Sequence, residues 1–553
     1  MRKNKLLQAV LLSFSLFVLP ATAQNVFHVN INNGDDSNDG LKWSTAFKNL
    51  QPAIDASGKG DIIKVASGTY YPTQKLTEAN SGSNDHSEPT YDPICSFLLR
   101  KDLKIYGGFP SNATDATTMN DRDWTVHQTI LSGDFNNDDR SYFANTSENA
   151  YHVIVMINAS SDMLLDGFHI TGGGNTEGTT SSVYVDGVLI EHTKGGGIYA
   201  MTSFSSFIDS SPVLSNLVIR NNKVQAEGGG IYNYSNGHSA SPTLTNVTLI
   251  NNVAEGFGGG FYNDGLTSSN PKLLNVTISG NTALAGGGFY CVAEEECSPV
   301  FENVLISGNI ADVNGGVHIY AMGADAAPEI KNTTISGNKS VDVGVGGMYI
   351  RSVAGRVVPY IKNTVIWGNK SIIEEYDNLV LNGNRGNNPV YANNLIEGMD
   401  LGGTNLSGDV NPRFVNHINA NSAPALSNKG DYRLTKESPL VNMGDNTGVT
   451  QTYDLAGEER IFGDIVDIGA YELQSIVISD NESFSAEKTI WGYNGNIYVK
   501  VSNNTTTVSI YSISGMLVKQ INNIGEGTHS IALPAGLYIV RLSTGETAKV
   551  IIN

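Results

Sequence analysis

The chain has 553 residues, with 54 acidic against 34 basic side chains and a formal net charge of −20. So acidic a chain is excluded from the proteins that hold nucleic acid through phosphate attraction. Sixty glycines and only 16% charged residues suit a turn-rich β architecture, and the length is ample for a large core with a small second domain.

Arg2, Lys3 and Lys5 precede an apolar run over residues 6–19, and Ala21-Thr22-Ala23 follows. This predicts a secretory signal peptide over residues 1–23 and a mature chain beginning at Gln24. The apolar run is too short for a comfortable membrane span, and no other stretch is predicted to cross a bilayer. Removing the leader takes three positive charges and moves the net charge from −20 to −23.

Residues 24–475 are predicted to form a right-handed parallel β-helix. Residues 26–29 read as a strand and 32–40 as a turn-dense loop. Residues 44–56 carry Ala46, Phe47, Leu50, Ala53 and Ile54 at helical spacing, with Ser44 as N-cap. A helix there would plug the open end of the solenoid. Strands follow at 61–65, 68–70, 103–108 and 151–155, and residues 164–173 read as a coil. The polar stretches 76–92 and 111–123 read as loops.

Asp134, Asn136 and Asp138 place oxygen ligands at alternate positions, as the start of a calcium loop does. An EF-hand would also need Gly at its sixth position and Glu at its twelfth, where this chain has Asp139 and Asn145. Two readings stand side by side: a solvated polar turn, and a calcium site on Asp134, Asn136 and Asp138. No other cofactor is expected.

From residue 211 to 370 the chain repeats itself. Asn-x5-Asn recurs at Asn216/Asn222, Asn246/Asn252, Asn275/Asn281, Asn303/Asn309, Asn332/Asn338 and Asn363/Asn369, spaced by 30, 29, 28, 29 and 31 residues. Such a period means stacked supersecondary units. Two residues before each first Asn stands an apolar side chain, and three after it an Ile or Leu, at the alternation of half-buried strands. With no helical stripe between strands, each unit is a coil of short strands joined by turns. Asn suits the left-handed turn and can bond its counterparts above and below.

Each coil also carries a glycine run followed by an inward apolar residue: Ile198, Ile231, Phe261, Phe289, Val317 or Met348. The next residue points outward: Tyr199, Tyr232, Tyr262, Tyr290, His318 or Tyr349. Stacked about 4.8 Å apart, these rings could bind a sugar polymer or a partner surface, or simply stabilise the stack under neighbouring loops such as 233–242 and 263–271. Cys291 and Cys297 flank a short turn, so a local disulfide and two free thiols are both open. Three cysteines without matching histidines exclude a zinc site.

One more coil is expected around Asn393, and residues 431–472 read as the closing segment of the solenoid. Residues 476–553 change rhythm. Six short strands separated by Gly or Asn turns predict a small antiparallel β-sandwich.

The Asn-x5-Asn and glycine pattern resembles β-helix proteins with chlamydial polymorphic-outer-membrane-protein-like repeats. The C-terminal stretches Val508–Gly515 and Pro534–Val540 resemble the type A sorting domain of the Bacteroidota type IX secretion system. That family usually opens with Pro-Asn-Pro and often ends on a basic residue; this sequence ends Ile552-Asn553. The resemblance implies an Ig-like fold, the outer-membrane secretion machinery as partner, and release or attachment at the cell surface.

Two functions compete for the solenoid. One is an adhesin-like or glycan-binding protein whose partner is an extracellular glycan or a host surface. The other is a polysaccharide lyase or glycoside hydrolase, for which fold alone decides nothing. No catalytic residue is assigned: the regular coils repeat no Asp, Glu, Lys or Arg at one position. Asp209, Lys223, Asp264 and Lys272 read as solvated turn residues, and Arg351 and Arg356 as isolated loop residues. A site could also be assembled from the insertions 76–150 and 175–194.

Overall fold

A computed structural model describes residues 24–77, 92–174, 181–421 and 429–474, and, in the C-terminal unit, 490–493, 496–501, 506–512, 516–534, 536–544 and 547–552. The predicted leader, and most of the loop expected at 76–92, lie outside the described residues. Residues 1–474 and 475–553 divide into two compact units.

The first unit is a parallel β-solenoid of about seven turns. Three parallel sheets run along it. The longest strands, Val213–Arg220, Thr243–Ile250, Lys272–Ser279 and Val300–Ser307, form one face. A second face stacks Ile198–Thr202, Ile231–Ser235, Phe261–Gly265, Phe289–Ala293, Val317–Ala321 and Met348–Ser352. A third is narrow, running from Lys223–Val224 to Lys339–Ser340. The apolar positions two before each first Asn stand in register, Leu214 with Leu244, Leu273, Phe301, Ile330 and Ile361, and all are buried.

The two asparagines of each repeat do different work. The first takes the left-handed turn, at φ +53° for Asn216, +54° for Asn246 and +55° for Asn275. The second lies inside and forms a continuous amide column. Each Nδ2 donates to the next Oδ1 at 2.9–3.1 Å, from Asn222 through Asn252, Asn281, Asn309, Asn338 and Asn369 to Asn378. Each Oδ1 also accepts the backbone N–H of the preceding Asn in the column, as Asn281 does from Asn252 at 2.9 Å. The glycine runs are sterically required: Gly258 sits at φ +64°, and a Cβ on Gly260 would meet Gly288 O at 2.5 Å.

The N-terminal helix is shorter than its periodicity suggests, spanning Leu50–Ala56 behind a 3-10 turn at Trp43–Thr45. Ser44 is no cap; its backbone and hydroxyl donate to Asp115. The Asp36 carboxylate instead takes the N–H groups of Lys48 and Asn49, fixing the chain as it enters the helix.

Residues 431–472 pack along the outer side of the long-strand face. Tyr432 OH donates to Ser336 O at 3.1 Å, Asn303 Nδ2 to Tyr453 O at 2.7 Å, and Asn275 Nδ2 to Gln451 Oε1 at 3.3 Å. Leu434, Leu440 and Ile468 bury against Leu305, Val365 and Leu395. Arg460, 1% exposed, donates to Asp467 O and Gly469 O and locks this segment on itself.

The second unit has antiparallel sheets of three and four strands. Ile497 and Val499 of one pack with Val508, Ile510 and Val540 of the other in a shared core, as a sandwich requires. No helix among the described residues is long and apolar enough to cross a membrane.

Candidate functional site

The outward row stands as strand alternation dictates. Tyr199, Tyr232, Tyr262, Tyr290, His318 and Tyr349 pair in register across five parallel interfaces. Tyr232 and Tyr262 stack with centroids 5.5 Å apart and planes within 2°, and Tyr262 and Tyr290 likewise at 5.5 Å and 21°.

Access divides this row in two. Tyr199 and Tyr232 are 0% and 4% exposed. Both rings share an apolar cluster with Val185, Val188 and Ile190 of the antiparallel hairpin Ser182–Val185/Val188–Glu191 and with Leu98, Val155 and Ile157 of the solenoid. Tyr199 OH donates to Leu189 O at 3.1 Å.

At the other end the row opens. Tyr290, His318 and Tyr349 line a cavity of about 380 Å³, joined by Tyr320, Arg351 and Tyr376. Its walls hold no Asp or Glu. Tyr290 and His318 have centroids 4.4 Å apart, and His318 and Tyr349 meet edge-on at 5.2 Å. Asn314 Nδ2 donates to His318 Nδ1 at 3.1 Å, which puts the neutral ring's proton on Nε2. Burial, seconded by the Arg351 charge, pushes His318 down to about 3, so the ring is uncharged at neutral pH. Asn382 Nδ2 donates to Tyr349 OH at 3.1 Å.

Arg351 belongs to the strand Met348–Ser352 and not to a loop, a correction that follows from outward alternation. Its guanidinium lies 5.7 Å from the Tyr320 ring centre, its Nε is buried without a hydrogen-bond partner, and no carboxylate pairs with it among the described residues. Arg356, by contrast, is neutralised by Asp325 at 2.8 Å.

Tyr320 and Arg351 form part of a second outward row, Tyr234, Asp264, Val292, Tyr320 and Arg351, two residues beyond the first. Carrying the period-two count one step further along each strand would have found it. Asp264 is likewise no solvated turn residue. It accepts from Tyr262 OH at 3.1 Å, and burial pushes its carboxyl up to about 6. Cys291 and Cys297 are unlinked thiols with sulfurs 3.0 Å apart in the solenoid core.

A second hollow lies against the insertion after Ser132. It measures about 690 Å³, and its lining includes Asp134, Asp139, Arg140, Arg220 and Lys429. Of the sequence-predicted calcium residues, Asp134 is buried, while Asn136 and Asp138 are exposed. Asp134 meets Asp139 and Glu148, each offering an oxygen within 4.8 Å of the others. Burial raises the carboxyls of Asp139, to about 6, and Glu148.

Two solved structures have some likeness to the chain. "Rhamnogalacturonan lyase" shares 11% identity over 74% of this chain and 97% of its own, at a TM-score of 0.30. "The complex structure of XylC with xylose" shares 9% over 80% and 98%, at 0.34. Neither bears on what this chain does. No curated protein sequence matches it. Residues 493–553 match the family described as the secretion system C-terminal sorting domain. The C-terminal sandwich is therefore a type IX sorting domain, and the β-solenoid it follows is exported, for secretion or for attachment at the cell surface.

Proposed function

We propose that the exported solenoid is a binding protein, and that its ligand is an extracellular glycan or a glycan-bearing host surface. The observation that carries this is the open end of the aromatic row. Tyr290, Tyr320, Tyr349 and Tyr376 surround a cavity of small-ligand size with a neutral histidine and an unpaired arginine. Flat apolar faces with polar tips suit sugar rings, and Arg351 suits a carboxylate or sulfate substituent. The absence of any carboxylate from the walls speaks against hydrolysis there, which needs two.

A second reading, cleavage of an acidic polysaccharide, is favoured by the other hollow, where Asp134 and Asp139 stand near Arg140, Arg220 and Lys429. One experiment separates the two. Purified protein is screened against polyuronates, sulfated glycans and neutral glycans, reading both retention and chain cleavage. Binding without cleavage, weakened at least tenfold in both Tyr349→Ala and Arg351→Gln, supports the first reading. Cleavage that survives both substitutions and is lost in Arg220→Gln supports the second.

A further inference from the structure

We propose that Asp134, Asp139, Glu148 and Asn149 form a calcium site at the edge of the 690 Å³ hollow. The site is built by a turn. Asp134 is buried, and its two oxygens accept the backbone N–H groups of Asp138 and Asp139 at 3.1 and 3.2 Å. These bonds curl residues 134–139 so that Asp139 returns over Asp134. Glu148 then arrives from the far end of the insertion. Oxygens of all three carboxylates lie within 4.8 Å of one another, so an ion at their centre needs at most a few tenths of an ångström of closure to reach calcium–oxygen distances of roughly 2.4 Å.

Charge and hydrogen bonding both leave the cluster incomplete. None of the three carboxylates forms an ion pair with Lys, Arg or His among the described residues. Asn149 is 1% exposed and donates Nδ2 to both oxygens of Asp139, at 3.2 and 3.0 Å. That leaves its Oδ1 buried with no partner, and Glu148 Oε1 is buried with none either. Buried acceptors without donors are costly, and a hard cation satisfies several at once.

The donor set selects the metal. Carboxylate and amide oxygens without thiolate or imidazole exclude zinc as the preferred ion. Oxygens spread this widely, with room for water from the hollow, fit six- to eight-fold calcium better than compact octahedral magnesium. Asn136 and Asp138 are exposed and stand outside this three-carboxylate group, with the Asp138 carboxylate beside Glu148.

The test uses the full chain freed of metal with a chelator and titrated with calcium or magnesium in a calorimeter. Expected are one calcium site, a melting temperature raised by several degrees, and at least tenfold weaker magnesium binding. Asp139→Asn and Glu148→Gln should each weaken calcium at least tenfold. No calcium heat and no melting shift in the parent would overturn the site, as would unchanged binding in both variants. Hydrogen exchange of the parent with and without calcium needs no variant. Protection confined to residues 134–149 and their contacts supports the site, and protection only elsewhere overturns it.

Discussion

Replacing Asn281 by Ala tests whether the inner amide column holds the coils together. The Asn281 amide is fully buried and makes four hydrogen bonds. It accepts from Asn252 N and Nδ2 at 2.9 and 3.1 Å, and donates to Leu249 O and Asn309 Oδ1 at 2.9 and 3.0 Å. Alanine leaves two buried Asn252 donors without acceptors, each costing about 1–3 kcal/mol. Allowing for partial relaxation, the variant should lose about 3–5 kcal/mol. Asn246→Gly is the control. Asn246 is exposed at φ +54° and exchanges only outer contacts with Asn216 and Asn275, at 3.0 and 3.2 Å. Glycine takes that φ without strain, so its cost should stay within about 1 kcal/mol. Urea denaturation followed by circular dichroism measures both, and hydrogen exchange at the Asn252 amide should accelerate in Asn281→Ala alone. Equal costs for the two variants would refute the division of labour between the asparagines.

Asp264, raised to about 6 from 3.8, binds its proton more tightly folded than unfolded. Its stabilising contribution is therefore complete below the unfolded value and lost as pH climbs through about 6. Asp264→Asn should raise the melting temperature near about pH 7.5 and leave it almost unchanged near about pH 3; the reverse order would contradict the burial that causes the shift. The Cys291 and Cys297 sulfurs, 3.0 Å apart, need only about 1 Å of closure to reach disulfide length, so protein exported into an oxidising compartment should yield one labelled thiol after unfolding. Finding three would show that the pair stays reduced. Deleting residues 476–553 should leave the melting and circular dichroism of the solenoid unchanged while abolishing export; loss of cooperative melting would sink the two-domain reading.

What the sequence revealed follows the range of the forces involved. The coil repeat is local, so Asn-x5-Asn and the glycine runs exposed the solenoid and the register of its tyrosines. The division between left-handed and column-forming asparagines was not visible, because both are Asn and only backbone geometry separates them. Occlusion of Tyr199 and Tyr232 depends on where the hairpin at 182–191 lands, and its short alternation does not encode a docking face. The grouping of Asp134 with Glu148 likewise joins two ends of an irregular insertion. Tyr320 and Arg351 follow the same outward alternation two residues beyond the first row, where the side chains differ from coil to coil and display no repeat.

The segment 431–472 has a consequence for how the solenoid breaks. A stack whose coils touch only their neighbours unzips one coil at a time, from whichever end is weaker. Here one late segment is bonded to Asn275, Asn303, Ser336 and Asn363 at once. No coil between 275 and 395 can peel away without also tearing this tie. The C-terminal half should therefore melt as a single block, while the coils before Asn275 fray independently. The same tie slows assembly, because its contacts close loops of up to 176 residues and form only after the coils they bridge.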